Sequence, residues 1–219
     1  MFDCIPTCQQ KWIHSMIALQ IPKTATSSVS LALKDRNLIH KHRGLLQELF
    51  AKHPLYRGVF DVRHAIPPHL AQIFGRKFFD FFSFAVVRHP IQRLVSSFYF
   101  GKQKKLWSVY GLQESTTLDQ YIDWLYNNKN NQNILILLPQ TTWAANKDFP
   151  VSKVLKFENL AADWKNMLAE YKIAGLPDSL PHENKSQHKD WREEISAESL
   201  KKALDFTQKD AAFYPELYN

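Results

Sequence analysis

The amino-acid sequence predicts an α/β fold, with a mostly parallel central sheet flanked by helices. Short apolar runs alternate with segments of helical periodicity along the chain. The run Phe81–Val87 is almost wholly apolar and aromatic, as in a central strand covered on both faces. The 219 residues are 45% hydrophobic and 22% charged, without an internal repeat, a low-complexity tract or a Pro/Gly/Ser-rich linker. Such a chain buries one sizeable core, and the expectation is a single domain over residues 1–219.

Taken in order, Trp12–Ile21 reads as a buried strand ended by Pro22. Ser27–Lys34 reads as a helix opened by Thr or Ser caps, and Leu45–Phe50 as helical. Tyr56–Val62 is expected to be a second strand, ending near His64, and Pro67–Pro68 to start a helix. After the strand Phe81–Val87, Ile91, Leu94, Val95 and Phe98 recur at helical spacing. Leu118–Leu125 forms another amphipathic helix, Val151–Phe157 a strand, and Asn159–Tyr171 the helix behind it. Residues 175–189 read as loop and Ala197–Phe206 as helix.

Composition narrows the function classes. No apolar run approaches the ~20 residues that cross a bilayer. The first residues, with Asp3, do not resemble a secretory signal. A soluble, cytoplasmic protein without a membrane partner is expected. Cys4 and Cys8 are too few for a structural zinc and read as reduced thiols; no His-Glu-x-x-His motif or carboxylate cluster suggests a metal. Residues 1–110 hold 16 basic and 5 acidic residues, whereas residues 111–219 hold 12 and 16. A positive field confined to one half of a chain implies an anionic partner.

Two motifs carry chemistry. Ile21-Pro22-Lys23-Thr24-Ala25-Thr26-Ser27-Ser28 joins a strand to a helix. A helix N-terminus offers free N–H groups and a positive dipole end to an anion, and here a lysine and four hydroxyl residues surround it. The glycine-rich nucleotide loop is absent. In Val87-Arg88-His89-Pro90-Ile91-Gln92-Arg93-Leu94-Val95-Ser96, Arg88 stands at the carboxyl end of the best strand, where open α/β sheets bind ligands. An arginine there suits a phosphate, and Ser96 on the next helix can help hold it.

In this order the motifs resemble those of sulfotransferases that use 3′-phosphoadenosine 5′-phosphosulfate (PAPS), most closely the carbohydrate-sulfotransferase branch. The likeness continues in Phe157-Glu158-Asn159-Leu160, in Leu180-Pro181-His182-x-Asn184-x-Ser186 and in Asp210-x-x-Phe213-Tyr214-Pro215. It implies a P-loop-NTPase-like sulfotransferase fold. It further implies that Lys23, Thr24, Ala25, Thr26, Ser27 and Ser28 hold the 5′-phosphosulfate, and Arg88 and Ser96 the 3′-phosphate. The acceptor is then a hydroxyl compound, a carbohydrate or other small alcohol, and no metal or nucleic acid is needed. Ala25 stands where the family has glycine, so the loop must avoid a positive φ there or tolerate strain. His89 replaces an Asp or Asn.

Sulfuryl transfer needs a proton acceptor and positive charge at the leaving oxygen. Lys23 suits the second task. His64 is the expected base, with His69, His89 and His182 as rivals. Residues 182–189, by the same likeness, close over the nucleotide or acceptor; Arg43, Lys102, Lys104 and Lys105 extend the basic surface. The competing readings are a P-loop-type nucleotide-dependent kinase, disfavoured by the missing glycine loop, and a basic nucleic-acid-binding protein, which leaves Arg88 unexplained.

Overall fold

The computed structural model describes residues 15–50, 52–56, 62–181 and 190–218. Cys4, Cys8, Trp12, His182 and the remainder of the 182–189 stretch lie outside them. The described elements in chain order are β1 (Met16–Leu19), α1 (Thr26–Leu33), α2 (Leu38–Lys41), α3 (Arg43–Phe50) and α4 (Pro67–Phe74). These are followed by β2 (Phe82–Val87), α5 (Pro90–Gln103), α6 (Leu118–Asn127), α7 (Thr141–Ala144) and β3 (Lys153–Lys156). The last three are α8 (Leu160–Glu170), α9 (Trp191–Glu194) and α10 (Ala197–Thr207).

Three strands form one sheet in the order β1-β2-β3, and both pairings are parallel. Side chains alternate across a strand, and here the alternation sorts them into two cores. Ile17, Leu19, Ala85 and Val87 face one core, with Ile91, Leu94, Val95 and Phe98 of α5 and Tyr121, Ile122 and Leu125 of α6. Met16, Ala18, Phe84, Val86 and Leu155 face the other, with Val29, Ala32 and Leu33 of α1 and Trp164, Met167 and Leu168 of α8. Helices therefore cover both faces, and the central strand is apolar at nearly every position. A large apolar side chain buried this way stabilises the fold by about 1.5–3 kcal/mol.

The structure shortens some expected elements, and one falls mostly outside the described residues. β1 covers only the middle of the Trp12–Ile21 run, and β3 only the centre of Val151–Phe157. The expected strand Tyr56–Val62 is not supported at its ends. Tyr56 closes a 3-10 turn, Val62 opens another, and residues 57–61 are outside the described set. A short apolar run does not distinguish a strand from buried turns.

Helix α5 bears most directly on the site. Pro90 occupies its first turn, and the His89 side chain accepts a hydrogen bond from the Gln92 amide at 3.5 Å as the N-cap. Thus His89 takes the capping role open to an Asp or Asn at this place. Near its other end, a Cβ on Gly101 would come within 2.6 Å of the Trp107 ring, so only glycine permits this packing. Because β1 and β2 are parallel neighbours, the turns leaving them, at residues 20–25 and 88–89, emerge side by side at the carboxyl edge of the sheet.

Candidate active site

The turn after β1 has an unusual backbone. Lys23 and Ala25 adopt φ values of 69° and 65°, in the left-handed region where a Cβ is strained. Position 25 therefore tolerates the strain instead of avoiding it. Ala25 is also the N-cap of α1 and provides no side-chain cap, so the expected Thr or Ser capping does not occur. The left-handed residue carries the chain directly into the helix, with no hydroxyl residue at the cap position. The hydroxyls of Thr26 and Ser27 have no partner among the described residues, and the first N–H groups of α1 are uncapped. Such a terminus is suited to an anion. Thr24 faces inward; its hydroxyl donates to the Ile21 carbonyl at 3.0 Å and stiffens the turn. Ser28 is buried at the start of α1.

Arg88 lies against this turn. Its Nη1 donates to the Lys23 carbonyl at 3.3 Å, and its guanidinium stacks on Phe157 at 4.1 Å from the ring centroid. Its Nε is buried and has no hydrogen-bond partner among the described residues. Burial pulls the guanidinium down to about 10, while Glu158 and Tyr214 act in the opposite sense, so it remains charged at neutral pH. Ser96 is buried on α5, and its hydroxyl has no partner among the described residues. The Lys23 ammonium sits 3.8 Å from the centroid of Phe100, a cation–π contact. Burial, and then the neighbouring Arg88 charge, lower Lys23 to about 8.

The described turn Val62–His64 brings His64 to the same edge. Its Nδ1 lies 2.6 Å from the Gln20 carbonyl oxygen, one residue beyond β1. A carbonyl cannot donate, so Nδ1 carries a proton toward Gln20, and a ring in its neutral form would have its lone pair on Nε2. The indole of Trp143 donates to the His64 carbonyl at 3.2 Å, which anchors the turn from the other side. Among the rivals, His69 is hydrogen-bonded to the Tyr56 hydroxyl at 2.6 Å and stacks on Phe50, and His89 caps α5.

Together these side chains bring two cations, an uncapped helix start and an oriented histidine to one edge of the sheet. The sequence profile of the sulfotransferase family matches residues 11–217. The chain belongs to the sulfotransferase family. Searches among curated proteins and among solved structures return no significant match. Membership makes the chain an enzyme of sulfuryl transfer, and its parallel three-stranded sheet between helices agrees with that assignment.

Other residues of this sulfotransferase support the edge without having been singled out for a role in the sequence. Glu158 accepts from the His89 amide and from the Tyr214 hydroxyl, each at 2.7 Å, and so ties the start of α5 to the end of the chain. Arg93 is buried; its Nε donates to the Pro22 carbonyl at 3.1 Å and its Nη1 to the Leu138 carbonyl at 3.2 Å. Gln140 and Asp210 are buried beside it. The motifs around Phe157 and Asp210 marked the neighbourhood, whereas Gln140 lies in no pattern. Among the described residues no three His, Cys, Asp or Glu side chains gather as a metal site, and no helix is long and apolar enough to cross a membrane.

Proposed function

We propose that this sulfotransferase takes its sulfuryl group from PAPS and passes it to a hydroxyl of a carbohydrate or another small alcohol. The observation that carries the donor assignment is the contact between the two cationic motifs. Arg88 touches the backbone of Lys23, so one ligand with anionic groups at both ends can reach both. The residues fit such a ligand. The orphaned Arg88 Nε and the Ser96 hydroxyl suit a 3′-phosphate. The uncapped start of α1, with Thr26 and Ser27, suits the 5′-phosphosulfate. In this reading residues Lys23 to Ser28 form the cradle.

Bound PAPS supplies the sulfuryl group and a phosphate leaving group. Lys23 places positive charge where the leaving oxygen develops negative charge. His64, its Nδ1 committed to Gln20, receives the acceptor's proton on Nε2. The carbohydrate class of the acceptor rests on the motif resemblance alone.

Thermal denaturation tests the donor assignment. Adenosine 3′,5′-bisphosphate at about 100 times its Kd should raise Tm by about 5–10 °C, and AMP or ATP with magnesium by much less. Equal shifts for bisphosphate and AMP would refute it. The base is tested separately: His64→Ala should keep bisphosphate affinity and lose most of its turnover, by about 10²-fold or more. Unchanged turnover assigns the proton to another group.

A further inference from the structure

Arg88 is held from behind by a residue that no motif includes. Gln140 Oε1 accepts from the Arg88 amide at 2.8 Å, and Gln140 Nε2 donates to the Arg88 carbonyl at 2.8 Å. One primary amide thus grips both backbone groups of the residue just past β2, as a neighbouring strand would. The amide is itself fixed. Gln140 Nε2 also donates to Asp210 Oδ2 at 3.0 Å, and the Gln140 backbone N–H donates to Asp210 Oδ1 at 2.7 Å. Gln140 is fully buried and Asp210 is 1% exposed, so water does not compete for these bonds.

The Asp210 charge also acts at longer range on Arg93, the arginine that donates to the Pro22 carbonyl in the turn before Lys23. Asp210 thus fixes Gln140 behind Arg88, while Arg93, whose charge it favours, holds the loop through Pro22. Three residues further on, Trp143 holds the His64 carbonyl, so residues 140–143 bracket the site from behind.

We propose that Gln140 is a positioning residue for 3′-phosphate recognition, its side-chain amide fixing the backbone of Arg88 and Asp210 fixing that amide. This rests on the reading that Arg88 receives the donor's 3′-phosphate. A backbone pinned on both sides leaves only the Arg88 side-chain torsions to be ordered on binding, and the guanidinium is already stacked on Phe157. The role also explains a buried glutamine at a strand tip, where an apolar residue of the same size would leave Arg88 N–H and C=O unpaired.

Calorimetric titration of the purified enzyme with adenosine 3′,5′-bisphosphate and with AMP tests the proposal. The quantity read is the ratio of the two affinities, which isolates the 3′-phosphate. Gln140→Asn is one methylene shorter and cannot span both Arg88 groups and Asp210, and Gln140→Met fills the same space without polar atoms. Both should lower the bisphosphate-to-AMP ratio about tenfold or more, with AMP affinity nearly unchanged. A merely structural role would weaken both ligands together, and either that result or an unchanged ratio overturns the proposal. In the unsubstituted enzyme the Arg88 amide hydrogen should exchange slowly without any nucleotide, a readout that does not depend on how the variants fold; rapid exchange also overturns it. If the unsubstituted enzyme shows no preference for bisphosphate over AMP, the donor reading itself fails.

Discussion

Arg88 and Arg93 are five residues apart, both buried and both charged, yet their surroundings differ. Arg93, inside α5, directs its guanidinium at backbone carbonyls of Pro22, Leu138 and Leu135, with Asp210 as counter-charge. Arg88, at the strand tip, has one carbonyl contact from its side chain, an aromatic ring beneath it and an Nε left over. A buried donor without a partner costs stability, so it marks a group kept for something the folded chain does not itself provide. One arginine completes the fold, and the other is the one proposed to take a ligand.

The largest effect that could break this contrast is on stability. Arg93→Met leaves three carbonyls without their donor and removes a positive charge that favours the Asp210 carboxylate, and should cost about 3–5 kcal/mol in urea denaturation. A loss below about 1 kcal/mol would mean that Arg93 is not the structural member of the pair. Arg88→Met should do the reverse. Its stability should stay within about 1 kcal/mol of the parent, because Gln140 holds the backbone, while bisphosphate affinity in calorimetry falls about 30-fold or more.

The smallest effect sharpens the contrast through Lys23. A lysine lowered from 10.5 to about 8 in the folded protein is a group the unfolded chain protonates more readily. Its penalty is fully present below about pH 8 and is relieved as pH rises from there toward 10.5. The stability of the parent relative to Lys23→Met should therefore improve across that range. Bisphosphate affinity should decline over the same range as the ammonium is lost. Because the Arg88 charge is the second cause of the lowering, Arg88→Met should move the onset upward in pH. An onset that stays in place would separate the two cations electrostatically.

Much of this architecture is legible in the chain because its cause is local. Phe81–Val87 reads as a covered strand because both its faces meet a core, and the α5 pattern follows from one apolar stripe. The turn from Ile21 to Ser28 and the Arg88 strand end are recognisable from residue type and order. Other features depend on distant partners. Gln140 meets Arg88 and Asp210 across 52 and 70 residues of sequence, and a single glutamine carries no periodicity to announce that. The strand expected at Tyr56–Val62 lies mostly outside the described residues; its two described ends, Tyr56 and Val62, are buried in 3-10 turns, so burial there did not require a ladder. His64 reaches the sheet edge from a 3-10 turn, through its ring on Gln20.

The left-handed alanine at position 25 has a wider consequence. An alanine does not choose that conformation; its surroundings impose it, through the Thr24 hydroxyl on Ile21, Arg93 on Pro22 and Arg88 on Lys23. The shape of the proposed anion cradle is thus written into buried residues elsewhere in the chain more than into the cradle's own letters. Substitution within the loop can be tolerated while the frame persists. A pattern demanding glycine would pass over a protein such as this one, and a pattern demanding the interior arginine would find it.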